Sequence, residues 1–232
     1  MNYSYWELKE WFSNIDFTIV GSGIVGLNCA ISLKREHPKA KILVLEKGTL
    51  PQGASTKNAG FACFGSLSEL IDDLNTHTDE EIYNLIYKRW KGLQFLRENL
   101  GDNAIDFQQQ KGYELCPSQE FFEACMAQKN KINKLLNPIF QADVFTASEN
   151  TFGFQKIHSK YIVNNFEGQL DTGKMMSCML LKAQKMGIKI VNSICVEDYK
   201  ENSTNVHVKT DRLDFYTKKL LFATNGFSHK LI

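Results

Sequence analysis

The sequence predicts an α/β fold built on a buried parallel sheet, and three observations carry that prediction. Two near-continuous apolar runs, Phe17–Val20 and Ile42–Leu45, flank one glycine turn and one amphipathic stretch. Strands without polar alternation need cover on both faces, as in parallel sheets joined by right-handed crossovers. Near the end, the runs 194–199, 205–210 and 215–222 are separated only by polar turns, the pattern of an antiparallel meander. Between these parts the periodicity turns helical, which places an intermixed α+β domain at 67–149 and a discontinuous first domain at 1–66 and 150–232.

Taken in order, the N-terminus reads as a short amphipathic helix packing Trp6, Leu8, Trp11 and Phe12 on the body. Asp16–Val20 is the first strand. Ile24 to about Glu36 is a helix with Leu27, Ala30, Ile31 and Leu33 on its inner stripe, stopped at His37-Pro38. Lys41–Glu46 is the second strand. A helical pattern over 66–74 precedes a long amphipathic helix, Asp79–Leu100, with Ile82, Leu85, Ile86, Trp90, Leu93, Phe95 and Leu96 on its buried face and Gly101 as its stop. Residues 104–116 suggest a hairpin turning at Lys111-Gly112, and a helix from Gln119 to Leu136 should end at Asn137-Pro138. Strand-like segments return around 152–163. A helix from Thr172 to about Met186 leads into the strand Ile188–Val191.

The first turn carries chemistry. Gly21-Ser22-Gly23-Ile24-Val25-Gly26 follows a strand and opens a helix, and Glu46 lies twenty residues beyond Gly26. This is the dinucleotide-binding pattern in its required context. Gly21 permits a turn too tight for a Cβ, Gly23 lets the backbone approach a pyrophosphate, and Gly26 lets the helix lie close on the strand. The helix N-terminus offers free N–H groups and a positive dipole end to phosphates, and Glu46 can accept ribose hydroxyls. By itself the motif fits NAD, NADP or FAD.

Bulk properties exclude several other classes. Composition is that of an ordinary globular chain, 43% hydrophobic and 23% charged. A net charge of +1 gives no basic field for nucleic acid. Apolar runs fall far short of a transmembrane segment, and no secretion signal is present. Six cysteines, at 29, 63, 116, 125, 178 and 195, have neither C-x-x-C spacing nor pairing with the five histidines. That suits free thiols, no metal, and a cytoplasmic location.

A second stretch narrows the ligand. Gly53-Ala54-Ser55-x-x-Asn58-Ala59-Gly60-Phe61, placed just after the acid, resembles the loop of the D-amino-acid-oxidase-like (DAO) FAD-dependent oxidoreductases, which include glycine, sarcosine and γ-glutamylputrescine oxidases. Gln169-Leu170-Asp171-x-Gly173-Lys174 with Gly187-Ile188-Lys189-Ile190, and Leu220-Leu221-Phe222-Ala223-Thr224-Asn225-Gly226, resemble later segments of the same family. The resemblance implies a Rossmann-like FAD-binding domain with a substrate-binding cap domain. It implies cofactor contacts at Gly21, Gly23, Ile24, Val25 and Gly26 on the pyrophosphate side and Glu46 and Lys47 near the adenosine. Ser55, Asn58, Ala59 and Gly60 would lie on the flavin side, Val196 at the adenine through its backbone, and Ala223, Thr224 and Gly226 near the FAD. It further implies oxidation of a C–N bond in a small amine or amino acid by hydride transfer to flavin N5, with oxygen or another carrier as electron acceptor.

No catalytic acid–base pair is expected, because the cofactor carries the hard step. Arg89, Arg97 and Tyr113 are candidates to hold a substrate carboxylate, whereas Phe61 and Phe64 suit packing. The P-loop look of Gly168-x-x-x-x-Gly173-Lys174 fails because Met175 stands where Ser or Thr must reach magnesium. Gly21-Ser22-Gly23 is no nucleophile elbow, because Val20 replaces that motif's first glycine. Lys129, Lys131 and Lys134 read as a solvated helix face. Thr172 departs from the resemblance, standing where a proline is common. Members of the family continue past Ala-Thr-Asn-Gly, whereas this chain ends at Ile232, so a C-terminally incomplete fold is expected. Two alternatives stay open: a truncated, non-catalytic nucleotide-binding remnant and an NAD(P)-dependent dehydrogenase.

Overall fold

A computed structural model describes residues 3–230, with side chains up to Ser228. Two compact units are present. The first takes the chain up to Ala59 and again from Thr172 onward, and the second is Gly60–Asp171. The switch points thus lie at 59/60 and 171/172 rather than near 66 and 150. Phe61–Ala62 pairs with Gly168–Gln169, so the second unit closes on itself as soon as it begins.

In the first unit, β1 (Ile15–Val20) leads through α1 (Ile24–Glu36) to β2 (Ile42–Glu46). The chain returns with α2 (Thr172–Lys185), β3 (Lys189–Asn192), β4 (Val196–Glu201), β5 (Val206–Thr210) and β6 (Asp214–Phe222). The sheet order is β3-β2-β1-β6-β5-β4. β3, β2, β1 and β6 run parallel, with Ile19 between Val44 and Leu221, while β6, β5 and β4 form the antiparallel meander. All five residues of β2 are buried, as its unbroken apolar run requires. Gly26, Leu27, Ala30 and Ile31 of α1 are buried, and Leu33 is half-buried. One cluster of the core joins Ile15, Leu43, Leu45, Ile194, Val208 and Phe215.

The opening helix differs from expectation. Phe12 alone of its aromatic residues enters the core, beside Phe215, while Trp6 stays 70% exposed and Leu8 and Trp11 are exposed as well. The segment is only one helical turn plus a wider π turn, too short to turn four large side chains to one side.

The second unit packs helices Leu67–Asp73, Asp79–Leu100 and Gln119–Phe140 with a three-stranded antiparallel sheet. Residues 104–116 make no hairpin. Asp102–Ile105 is a helical turn, and Gly112–Leu115 pairs instead with Lys160–Asn164, which also pairs with Phe145–Glu149. The third helix runs through Pro138 to Phe140. Proline there removes a single hydrogen bond one turn from the end. Phe140 offsets that loss by stacking on Phe64 and packing against Trp90 and Phe166. Ile82 and Ile86 bury fully in the long helix, whereas Leu85 and Phe95 lie exposed. Phe64 is core, but Phe61, expected to pack, is 76% exposed. Among the described residues no helix is long and apolar enough to cross a membrane.

Candidate nucleotide cradle

The cradle forms where β1 and β2 end. Gly21 has a φ of +105°, a conformation that side chains oppose, and a Cβ there would lie 2.7 Å from the Ala223 carbonyl oxygen. Its amide donates to Leu45 O at 2.8 Å, and Ala223 N donates to Val20 O at 2.9 Å. The turn is therefore pinned between β2 and the end of β6. A Cβ on Gly26 would overlap the Gly21 carbonyl, so α1 approaches the strand as closely as backbone allows. Gly23 caps α1 with extended backbone and no side-chain cap.

The first N–H groups of an α-helix have no intrahelical acceptor. In α1 they belong to Ile24, Val25 and Gly26, and Val25 is exposed. The Ser55 hydroxyl accepts from Ile24 N at 2.9 Å and stands 2.8 Å from where a Cβ of Gly23 would be. Having accepted, that hydroxyl still has a proton to donate. The loop bearing it is a 3-10 turn, Ala54–Thr56, tied by Asn58, whose amide donates to Ala54 O and Ser55 O at 3.1 Å each. Thr172, the departure from the proline pattern, donates its hydroxyl to Asn58 Oδ1 at 3.0 Å. Ala59 is exposed beside this tie, and Gly60 opens the second unit with a φ of +78°.

Glu46, at the end of β2, is only 7% exposed. Ser22 donates to its Oε2 through both amide and hydroxyl, at 3.1 and 2.9 Å, and Gly48 N donates to Oε1 at 3.0 Å. Sequence reasoning missed the Ser22 bonds. The signal was present, a hydroxyl between the first two glycines of the motif. The following turn lies alongside, with Ser193 N donating to Gly48 O and Ile194 N to Glu46 O, both at 3.0 Å. Val196 continues from there, buried, into β4. Lys47 extends over the Phe227 ring at 5.4 Å. Thr224 keeps a buried hydroxyl with no hydrogen-bond partner among the described residues, next to Gly21, and Gly226 is exposed beyond it. The first unit thus gathers the glycine turn, Glu46, Lys47, Ser55, Asn58, Val196, Ala223 and Thr224.

The three carboxylate-holding candidates belong to the second unit and have structural partners there. Arg89 donates to Phe64 O at 2.8 Å. Arg97 makes a two-pronged pair with Asp102 and lies over Phe107. Tyr113 packs its ring against Phe152 and Tyr161.

The profile of the DAO family, FAD dependent oxidoreductase, matches residues 16–232. The chain belongs to this family. Its cofactor is FAD, which removes the NAD(P)-dependent alternative. The fold of this oxidoreductase is shared with solved structures at low identity. Glycine oxidase from Bacillus cereus superposes with a TM-score of 0.67 at 18% identity, over 94% of this chain and 58% of that one. NikD, an unusual amino acid oxidase essential for nikkomycin biosynthesis, gives 0.67 at 18%, over 93% and 52%. L-amino acid deaminase from Proteus vulgaris gives 0.63 at 17%, over 90% and 47%. The chain therefore spans about half the length of the solved structures it matches. No curated relative matches the sequence.

The residues present fit an FAD phosphate end. A side chain at Gly21 would meet the Ala223 carbonyl, and one at Gly23 would meet the Ser55 hydroxyl that lines the cradle. The Val25 and Gly26 amides and the Ser55 hydroxyl supply donors, and the Thr224 hydroxyl has no partner among the described residues.

Proposed function

We propose that this oxidoreductase oxidises a C–N bond in a small amine or amino acid. When bound, FAD supplies the hydride-accepting chemistry, at its flavin N5. The observation that carries the FAD side of the proposal is the cradle, where the α1 N-terminus leaves the Val25 and Gly26 N–H groups without helical acceptors beside the Ser55 hydroxyl. Val25 and Gly26 N–H bind the pyrophosphate with the helix dipole behind them. Ser55 relays the Ile24 amide to the same phosphates through its hydroxyl, and Glu46 accepts from the adenosine ribose. Val196 backbone borders the adenine, and Asn58 holds the loop that leads towards the flavin. Amino-acid substrates are supported by the names of the structural neighbours, an oxidase of glycine, an amino acid oxidase and an amino acid deaminase. Oxygen or another carrier takes the electrons.

The test has two steps. The flavin-free protein is titrated with FAD by fluorescence quenching, and the complex is then mixed anaerobically with a panel of amines and amino acids. One equivalent of FAD bound, followed by bleaching of flavin absorbance by one class, is the expected result. Failure to bind FAD, or a bound flavin that no amine reduces, overturns it.

A further inference from the structure

Glu46 is held before any ligand arrives. A carboxylate offers about four lone-pair directions, and three of them here accept from Ser22 N, Ser22 Oγ and Gly48 N. Both Ser22 bonds converge on Oε2, which leaves Oε1, accepting among the described residues from the Gly48 amide alone, as the oxygen with capacity for another donor. Ser22 is fully buried, so its hydroxyl is not competing with bulk water for this role. Its amide is likewise committed to Glu46 and takes no part in anion binding.

We infer that Ser22 is a positioning residue for the nucleotide. It locks the Glu46 rotamer so that Oε1 receives a ribose hydroxyl, and it thereby sets the preference for an intact adenosine ribose. This rests on Glu46 being the ribose acceptor. Glutamate has three side-chain torsions, and fixing them on binding would otherwise oppose association. Ser22 fixes them during folding. The serine is also the smallest residue able to do so. An alanine fits the same space, because it is serine without the hydroxyl, and leaves Glu46 held by backbone amides alone.

The experiment titrates flavin-free protein with ADP and with 2′,3′-dideoxy-ADP, which differ only in the hydroxyls that Glu46 would accept. Wild type should prefer ADP by about tenfold, the scale of one charge-assisted hydrogen bond. Ser22→Ala should narrow the preference to roughly two- to threefold by weakening ADP alone, with dideoxy-ADP unchanged. If Ser22→Ala does not fold, Ser22→Cys, nearly the same size and a weak donor, reads the same ratio. A full preference retained in the variant overturns the positioning role. Equal weakening of both ligands also overturns it, since that marks general distortion. A wild type that binds both equally refutes the ribose role of Glu46 instead, and the two failures are separate.

Discussion

Gly26→Ala and Gly92→Ala are the same chemical change at two helical glycines, and the structure assigns them opposite signs. At Gly26 the added methyl would overlap the Gly21 carbonyl oxygen and come within 3.3 Å of Ala223 Cβ. Neither neighbour is the end of a flexible side chain, so α1 must shift off the turn. Overpacking of this kind costs about 1–3 kcal/mol, and a backbone clash belongs at the upper end. Replacing glycine by alanine inside a helix returns roughly 0.8–1 kcal/mol. The net loss is then about 2 kcal/mol, or about 4–8 °C in Tm for a chain of this size. Gly92 lies exposed midway along the helix Asp79–Leu100, with no described residue within 4 Å of its added Cβ. There only the helical gain of about 1 kcal/mol remains, a rise of roughly 2–4 °C. Urea unfolding followed by circular dichroism, with thermal melts beside it, measures both. Because α1 opens onto the proposed phosphate site, FAD affinity should fall in the first variant and stay constant in the second. A Gly26→Ala protein as stable as wild type, or shifted in the same direction as Gly92→Ala, would refute the close-approach argument.

Two further variants probe single groups. Ser55→Ala removes the acceptor of Ile24 N and the donor beyond it; FAD should dissociate about tenfold more readily in fluorescence titration, with Tm nearly unchanged. Burial pushes the Glu167 carboxyl above its ordinary range, against the lowering effect of hydrogen bonds from Phe64 and Gly65 N. A carboxyl raised on folding gives stability present below the unfolded pKa and lost as pH rises through the folded one. Glu167→Gln, which keeps an acceptor for Phe64 N, should therefore lessen the stability lost above about pH 4.5. Urea midpoints from pH 4 to 8 check this, and a wild-type slope unchanged in the variant would count against it.

What was legible in the sequence followed from local constraint. The turn at 21–26, the helix behind it and the buried β2 each depend on a few neighbouring residues, and all appear where the pattern put them. So does the meander, whose turns are short. Errors arose where distant chain decided. Gly112–Leu115 has a turn-like residue before it, yet its hydrogen bonds go to a strand nearly fifty residues away. Pro138 carries the local signal for a helix stop, but aromatic packing around Phe140 outweighs it. Within the cradle the glycines were readable because each tolerates no Cβ. The bond from Ser22 to Glu46 had only an ambiguous signal, since serine between glycines equally suits a bare turn.

The pairing of Phe61–Ala62 with Gly168–Gln169 bears on the order in which the chain acquires its structure. Strand β1 completes its central place only when β6 arrives, some two hundred residues later, with Ile15 beside Thr217. Joining ends so far apart by chance is slow. The inserted second unit eases this, because once it folds its own first and last strands lie side by side. To the rest of the chain, more than a hundred residues then act as a short tether between Ala59 and Thr172, and the search left to β1 and β6 shrinks accordingly. Early closure of that small two-stranded clasp would also shorten the time for which the open edge of β1 is available to other chains.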